Sequence, residues 1–197
     1  MILWRDNFSL DSEKLDKVIQ ETIKHPECLM GSNSDRCLYS TYFIDDLFKH
    51  PEIVFLKEYT DIISKYMSEI GLLKRTSYNF THWMQVYNNG HLGHPAHDHF
   101  RYDTFFSWVH FVKPTKKKLF FFIDSDRKKV YPEGQTPGDF IVFPSWAEHG
   151  VDPSDESADE QRVVIAGNIS VTMVNRLHAE TENYHKVSKT VDVIERS

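Results

Sequence analysis

The chain has 197 residues, 40% of them apolar and 26% charged, which suits one packed domain and excludes wholesale disorder. Asp and Glu (29) outnumber Lys and Arg (23), so the net charge is −6 and charge alone makes the chain a poor candidate for binding nucleic acid. No apolar run approaches the ~20 residues that span a bilayer, the N-terminal residues lack the basic start and apolar stretch of a secretory signal, and two cysteines, Cys28 and Cys37, argue against a disulfide framework.

The expectation is therefore a cytoplasmic protein with no membrane partner. Ser12 is placed to cap a first helix, in which Leu15, Val18, Ile19 and Ile23 recur with helical period and which Pro26 ends. Residues 31–40 read as a loop. Pro51 opens a second helix, with Ile53, Leu56, Thr60, Ile63, Met67 and Ile70 on one face and Gly71 at its end. Near residue 78 the period changes. Segments 80–88, 105–112, 119–123, 139–143 and 162–171 are short, rich in aromatic and β-branched residues, and separated by turn-forming clusters. Strands at this spacing predict a sandwich or barrel, with the second helix over one sheet face. The acidic run 152–160 reads as a solvated loop, and the polar residues from 176 as a terminal helix or tail. The expected organisation is a single domain over 1–197: mainly helical support in 1–77, a β core in 78–175, and the tail or helix in 176–197.

Five of the 11 histidines lie between residues 91 and 110. If His97-Asp98-His99 is extended, both imidazoles point to one side and Asp98 points away. Neutral imidazole suits Fe, Zn, Cu and Ni. Histidines two apart are also common on exposed turns, so the pair alone is weak. It gains weight from His149, 50 residues beyond His99, which follows a buried-looking strand in the segment FPSWAEH (143–149). Pro144 and Trp146 are expected to fix that loop. His91 and His94 sit on a glycine-rich turn and read as solvent-facing or rim residues. His82 and His110 read as satisfied core histidines, and the remaining four receive no role. Arg162 enters a mostly apolar strand, which is costly unless the charge is paired. It either faces solvent or an upstream acid, or it grips a ligand carboxylate through a planar, bidentate contact. Trp83, Phe106, Trp108 and Trp146 read first as core and second as the walls of a dry pocket.

At these residues the chain resembles the 2-oxoglutarate- and Fe(II)-dependent oxygenases, in particular the small bacterial and phage branch with HxHP and FPSWLxH motifs. The corresponding residues are His97-Asp98-His99-Phe100 and Phe143 through His149, and Gly138-Asp139 and the distance to Arg162 agree as well. The resemblance covers about residues 78–172. It implies a double-stranded β-helix, a cupin-like jelly roll supported by α-helices. It implies Fe(II) at His97, His99 and His149, with 2-oxoglutarate chelating the metal, Arg162 pairing its distal carboxylate, and Tyr87 and Asn168 lining its pocket. The implied activity is a hydroxylase that uses O2 to oxidise an unidentified substrate and releases succinate and CO2. Most of the superfamily has Asp where this chain has His99, so Asp103, four residues on, is the alternative third ligand. Val164 stands where many relatives carry a serine, and Phe111 where prolyl hydroxylases often carry a tyrosine. Two other readings stay open: a cupin-like metalloenzyme that does not use 2-oxoglutarate, and a non-catalytic metal-binding barrel. Oligomeric state is open, a homodimer included.

Overall fold

The computed structural model describes residues 1–29, 38–43, 55–71, 76–88, 90–100, 104–154 and 161–173. The first helix, α1 (Ser12–Lys24), begins one residue earlier than its expected cap allows. Asp11 is the N-cap, its carboxylate accepting from the Lys14 N–H at 2.9 Å. The helix stops before Pro26, which opens a short 3-10 turn over Pro26–Cys28. The second helix, α2 (Leu56–Glu69), starts just after the residues where Pro51 was expected to open it; Pro51 and Ile53 lie outside the described residues. Its buried face is Tyr59, Ile62, Ile63, Tyr66 and Met67, rotated from the expected stripe, because two tyrosines rather than Thr60 and Ile70 turn inward. Gly71 follows the helix at φ +73°, the left-handed conformation that suits a residue without a Cβ, and its N–H caps the Ser68 carbonyl.

Among the described residues, ten strands form two antiparallel sheets. The larger holds β1 (Trp4–Asn7), β8 (Asp139–Pro144), β5 (Thr104–Lys113), β10 (Arg162–Met173), β3 (Thr76–Tyr87) and β2 (Leu38–Ser40), in that order. The smaller holds β4 (His94–His97), β9 (His149–Val151), β6 (Phe120–Ile123) and β7 (Lys129–Val130). The five expected strands are β3, β5, β6, β8 and β10. The short strands β1, β2, β4, β7 and β9 offer too few residues for a periodic signal. Thus residues 1–77 contribute helices and also the two edge strands of the large sheet. The expected tail, 176–197, lies outside the described residues.

Alternation along the large sheet divides the interior in two. From β10, Val163, Ile165 and Ile169 face outward and pack with Trp108, Phe140, Val142, Phe80 and Met84 under α1 and α2. Val164 from β10, with Tyr87, Val109, Phe111, Ile141 and Phe143, faces the small sheet and meets Phe120, Phe122 and Val151. Both faces of this sheet are therefore buried, which is why its strands read as near-continuous apolar runs. His110 is a satisfied core histidine, as expected. Its Nδ1 accepts from the Tyr59 hydroxyl at 2.8 Å and its Nε2–H donates to the Phe8 carbonyl at 3.0 Å. The two sheets with their helical cover form a helix-supported jelly roll.

Candidate metal centre and anion pocket

His97 and His149 face one another in register, since β4 and β9 pair His97 with His149. An irregularity in β4 between His94 and His97 carries the chain past the strand's end. There the His99 N–H donates to the Ser145 carbonyl at 2.9 Å, and this ties the HxH segment to the turn before His149. The result brings His97, His99 and His149 together, with one ligand nitrogen from each within 4.8 Å of the others. The turn itself is held by Ser145. Its N–H donates to the Phe105 carbonyl at 3.0 Å and its hydroxyl to the Thr104 carbonyl at 2.6 Å. Trp146, expected to fix this loop, is instead 60% exposed. Backbone pairing does the work the indole was assigned.

His97 and His149 have a defined tautomer. His97 Nδ1 lies 2.9 Å from the Pro95 carbonyl, and His149 Nδ1 lies 2.8 Å from the Ala147 carbonyl. A carbonyl only accepts, so Nδ1 carries the proton in both rings and Nε2 keeps its lone pair. His149 is buried, and burial pulls it down to about 4, with the neighbouring His97 and His94 adding to the shift and the Ala147 carbonyl opposing it. It is therefore neutral at pH 7, the form a ligand needs. Asp98 is exposed, and its carboxylate accepts from the Phe100 N–H at 3.1 Å. Expected to point away from the triad, it lines the same cavity as the three histidines, because the strand ends at His97 and 97–99 is not extended throughout. Asp103 lies outside the described residues.

The histidines open into a cavity of about 250 Å³ between the sheets, lined also by Trp83, Gln85, Tyr87, Val164 and Arg162. Arg162 enters this cavity from the first residue of β10 and is only 2% exposed. Its guanidinium lies over the Tyr87 ring at 4.8 Å, yet neither Nη1 nor Nη2 has a hydrogen-bond partner among the described residues. Tyr87 gives its hydroxyl to Gln85 Oε1 at 2.8 Å. Burial pulls Arg162 below its ordinary value, opposed by Tyr87. A buried cation with two donor nitrogens unused among the described residues could hold an anion. Of the expected site residues, His97, His99, His149, Arg162 and Tyr87 thus line one cavity. Asn168 sits beside it, its Oδ1 accepting from the Ser107 hydroxyl at 2.9 Å and its Nδ2 3.5 Å from His99 Nδ1.

Of the two histidines expected at the solvent or a rim, one departs and the other lines the cavity as a rim residue would. His91 is buried rather than on a rim; its Nδ1 accepts from the Gly93 N–H at 3.0 Å, and burial with the nearby Arg162 lowers it to about 4. His94 is half-buried, lines the cavity and stacks on His97 with ring centroids 4.5 Å apart. Spacing alone does not place it there, because the β4 irregularity breaks the two-residue alternation.

No family model matches the chain, and no curated protein matches it. Many solved structures do. A Pseudomonas putida prolyl-4-hydroxylase aligns over 85% of this chain and 91% of its own, with a TM-score of 0.58 and 16% identity. The non-heme alpha ketoglutarate dependent epimerase SnoN from nogalamycin biosynthesis aligns over 95% and 89%, with a TM-score of 0.60 and 12% identity. A Trichoplax adhaerens prolyl hydroxylase, solved with a hypoxia inducible factor peptide fragment, aligns over 85% and 82%, at 0.55 and 16%. The chain has the fold of the 2-oxoglutarate- and Fe(II)-dependent oxygenases. At this identity the likeness carries architecture, and the chemistry must be argued from the chain's own residues.

Proposed function

We propose that the chain is an Fe(II)- and 2-oxoglutarate-dependent oxygenase acting on an unidentified organic substrate. One observation carries the reading: a buried guanidinium, two of whose nitrogens have no partner among the described residues, shares a cavity with three histidines whose ligand atoms converge. The donor set fits a divalent metal of the iron–zinc range, since His97 and His149 are held in the tautomer that leaves Nε2 available. When bound, Fe(II) supplies open coordination positions at which oxidative decarboxylation of 2-oxoglutarate by O2 is coupled to oxidation of a substrate C–H bond, giving succinate and CO2.

The chain's own residues bind, orient and exclude water. Arg162 receives the distal carboxylate of 2-oxoglutarate, and Tyr87 packs under the guanidinium and holds its plane. Val164, on the same strand two residues on, contributes an apolar wall where a hydroxyl is common in the family the sequence resembles. Trp83 and Phe143 help keep the cavity dry. Asp103 stays the alternative third ligand to His99.

The test is an anaerobic titration of metal-free protein with Fe(II) and then 2-oxoglutarate, followed by visible absorption. A charge-transfer band that needs both additions and is lost in His149→Ala and in Arg162→Ala is the expected result. Iron binding without the band would overturn the cosubstrate assignment. The neutral three-histidine set and Val164 favour, in that event, a cupin-like metalloenzyme that does not use 2-oxoglutarate. Tight zinc retention with no cosubstrate binding and no turnover would leave a metal-binding barrel.

A further inference from the structure

We propose that Asn168, anchored by Ser107, is the positioning residue that sets the tautomer of His99 and so presents its Nε2 to the metal. The inference rests on the metal reading of the triad. His97 and His149 are each locked by the backbone carbonyl two residues before them. His99 is supported differently: its Nδ1 faces the Asn168 side-chain amide at 3.5 Å. The other end of that amide lies 2.9 Å from the Ser107 hydroxyl. The two supporting residues are cross-strand partners, because β10 and β5 pair Asn168 directly with Ser107.

An amide accepts at one end and donates at the other, whereas a hydroxyl serves either role. With Nδ2 toward His99, the ring nitrogen accepts, and the proton of a neutral imidazole then sits on Nε2, where it blocks the ligand atom. With the amide turned over, Oδ1 accepts from His99 Nδ1–H while Nδ2 donates to Ser107 Oγ, and Nε2 carries the lone pair. Ser107 satisfies both orientations, so the pair forms a two-position support, and a metal at the triad selects the second. This gives the third ligand the same tautomer that backbone carbonyls impose on the other two.

The experiment measures Co(II) affinity and the cobalt visible spectrum on metal-free, full-length protein without 2-oxoglutarate. Asn168→Leu, which keeps the volume and removes the acceptor, is expected to weaken binding about 10- to 100-fold, the usual effect of removing a hydrogen-bond partner of a metal-bound histidine. Asn168→Asp can only accept from His99. It is expected to restore at least the wild-type affinity with an unchanged spectrum, which a purely structural role would not produce. Ser107→Ala should weaken binding several-fold. Asn168→Leu binding cobalt as tightly as wild type would overturn the inference. So would a loss of more than about tenfold in Asn168→Asp, an outcome readable even if the leucine variant fails to fold. Absence of cobalt binding by the wild-type chain would overturn the triad reading itself, and the inference with it.

Discussion

A guanidinium buried with two nitrogens that have no hydrogen-bond partner among the described residues raises the free energy of the ligand-free fold, because its lost hydration is only partly offset by the Tyr87 face. Removing that charge therefore has opposite consequences for stability and for binding. Arg162→Met keeps an apolar stem of similar length. It should raise the melting temperature of the metal-free protein while weakening 2-oxoglutarate binding about 100-fold or more, the equivalent of two charge-assisted hydrogen bonds at ~1.5 kcal/mol each. Scanning calorimetry with and without the cosubstrate checks both halves. A variant less stable than wild type that still binds would sink the anion-pocket assignment. The same residue shows what side-chain type alone conveys. An arginine at the head of an apolar strand is visible in the sequence, but whether it turns outward to the acidic loop or inward to a cavity is set by strand register, and here it turns inward.

At the level of elements, two glycines hold the site together by letting neighbours approach. A Cβ on Gly150, next to His149 in β9, would lie 2.9 Å from the His94 carbonyl and 2.7 Å from Phe121. Gly150→Ala must push β4 away from β9, and those two strands carry His97 and His149. The expected outcome is a fold that survives, with metal affinity reduced by at least tenfold, on the scale by which a disturbed ligand support acts. A titration by Co(II) absorption checks it, and unchanged affinity would show that the register of β4 and β9 does not set the metal geometry. A Cβ on Gly167, in the middle of β10, would meet the Thr81 carbonyl at 2.1 Å and the Trp108 ring at 2.5 Å. Because Trp108 crosses the strand at that point, Gly167→Ala should act on the whole fold instead. Overpacking there should cost about 3 kcal/mol, the upper end for a well-packed core, as read from urea unfolding. Neither glycine is marked by sequence as anything but a weak spot in a strand. Their roles depend on which ring or carbonyl lies across the sheet.

For the whole molecule, the consequence of so many enclosed imidazoles is acid sensitivity. His91, His110 and His149 are buried and each is lowered to about 4, with burial the largest cause in every case. In the unfolded chain they titrate near 6.5. Between those values the unfolded state holds more protons than the folded one, so stability rises with pH through the window. The contribution is fully present above about pH 6.5 and is lost progressively as pH falls toward 4, at up to ~1.4 kcal/mol per pH unit for each histidine. Urea unfolding of the metal-free protein at pH 7, 6, 5 and 4.5 measures it. A flat profile over that range would show that these rings are hydrated in solution. Metal binding to His97, His99 and His149 should deepen the effect, since protons and metal compete for the same nitrogens.

Composition, periodicity and turn chemistry in the sequence were enough to indicate a mainly β domain with two helices, the second over a sheet face, five strands and a histidine pair partnered by a distant histidine. These features are local or nearly so: a helix face repeats every three or four residues, and a strand announces itself by β-branched and aromatic runs. The other five strands were not legible, because a strand of two to four residues without an apolar run such as the FFFI of β6 is defined by the partner it meets rather than by its own pattern. Trp146 looked buried and is exposed, and His91 looked exposed and is buried, because burial depends on what the other sheet brings over each position. Tertiary structure alone decided that Arg162 and the histidines share one cavity, and that Ser107 and Asn168 meet beside His99. The physical reason is that antiparallel pairing juxtaposes residues far apart in the chain, here 61 positions in the case of Ser107 and Asn168, and no local signal encodes which residue lies opposite.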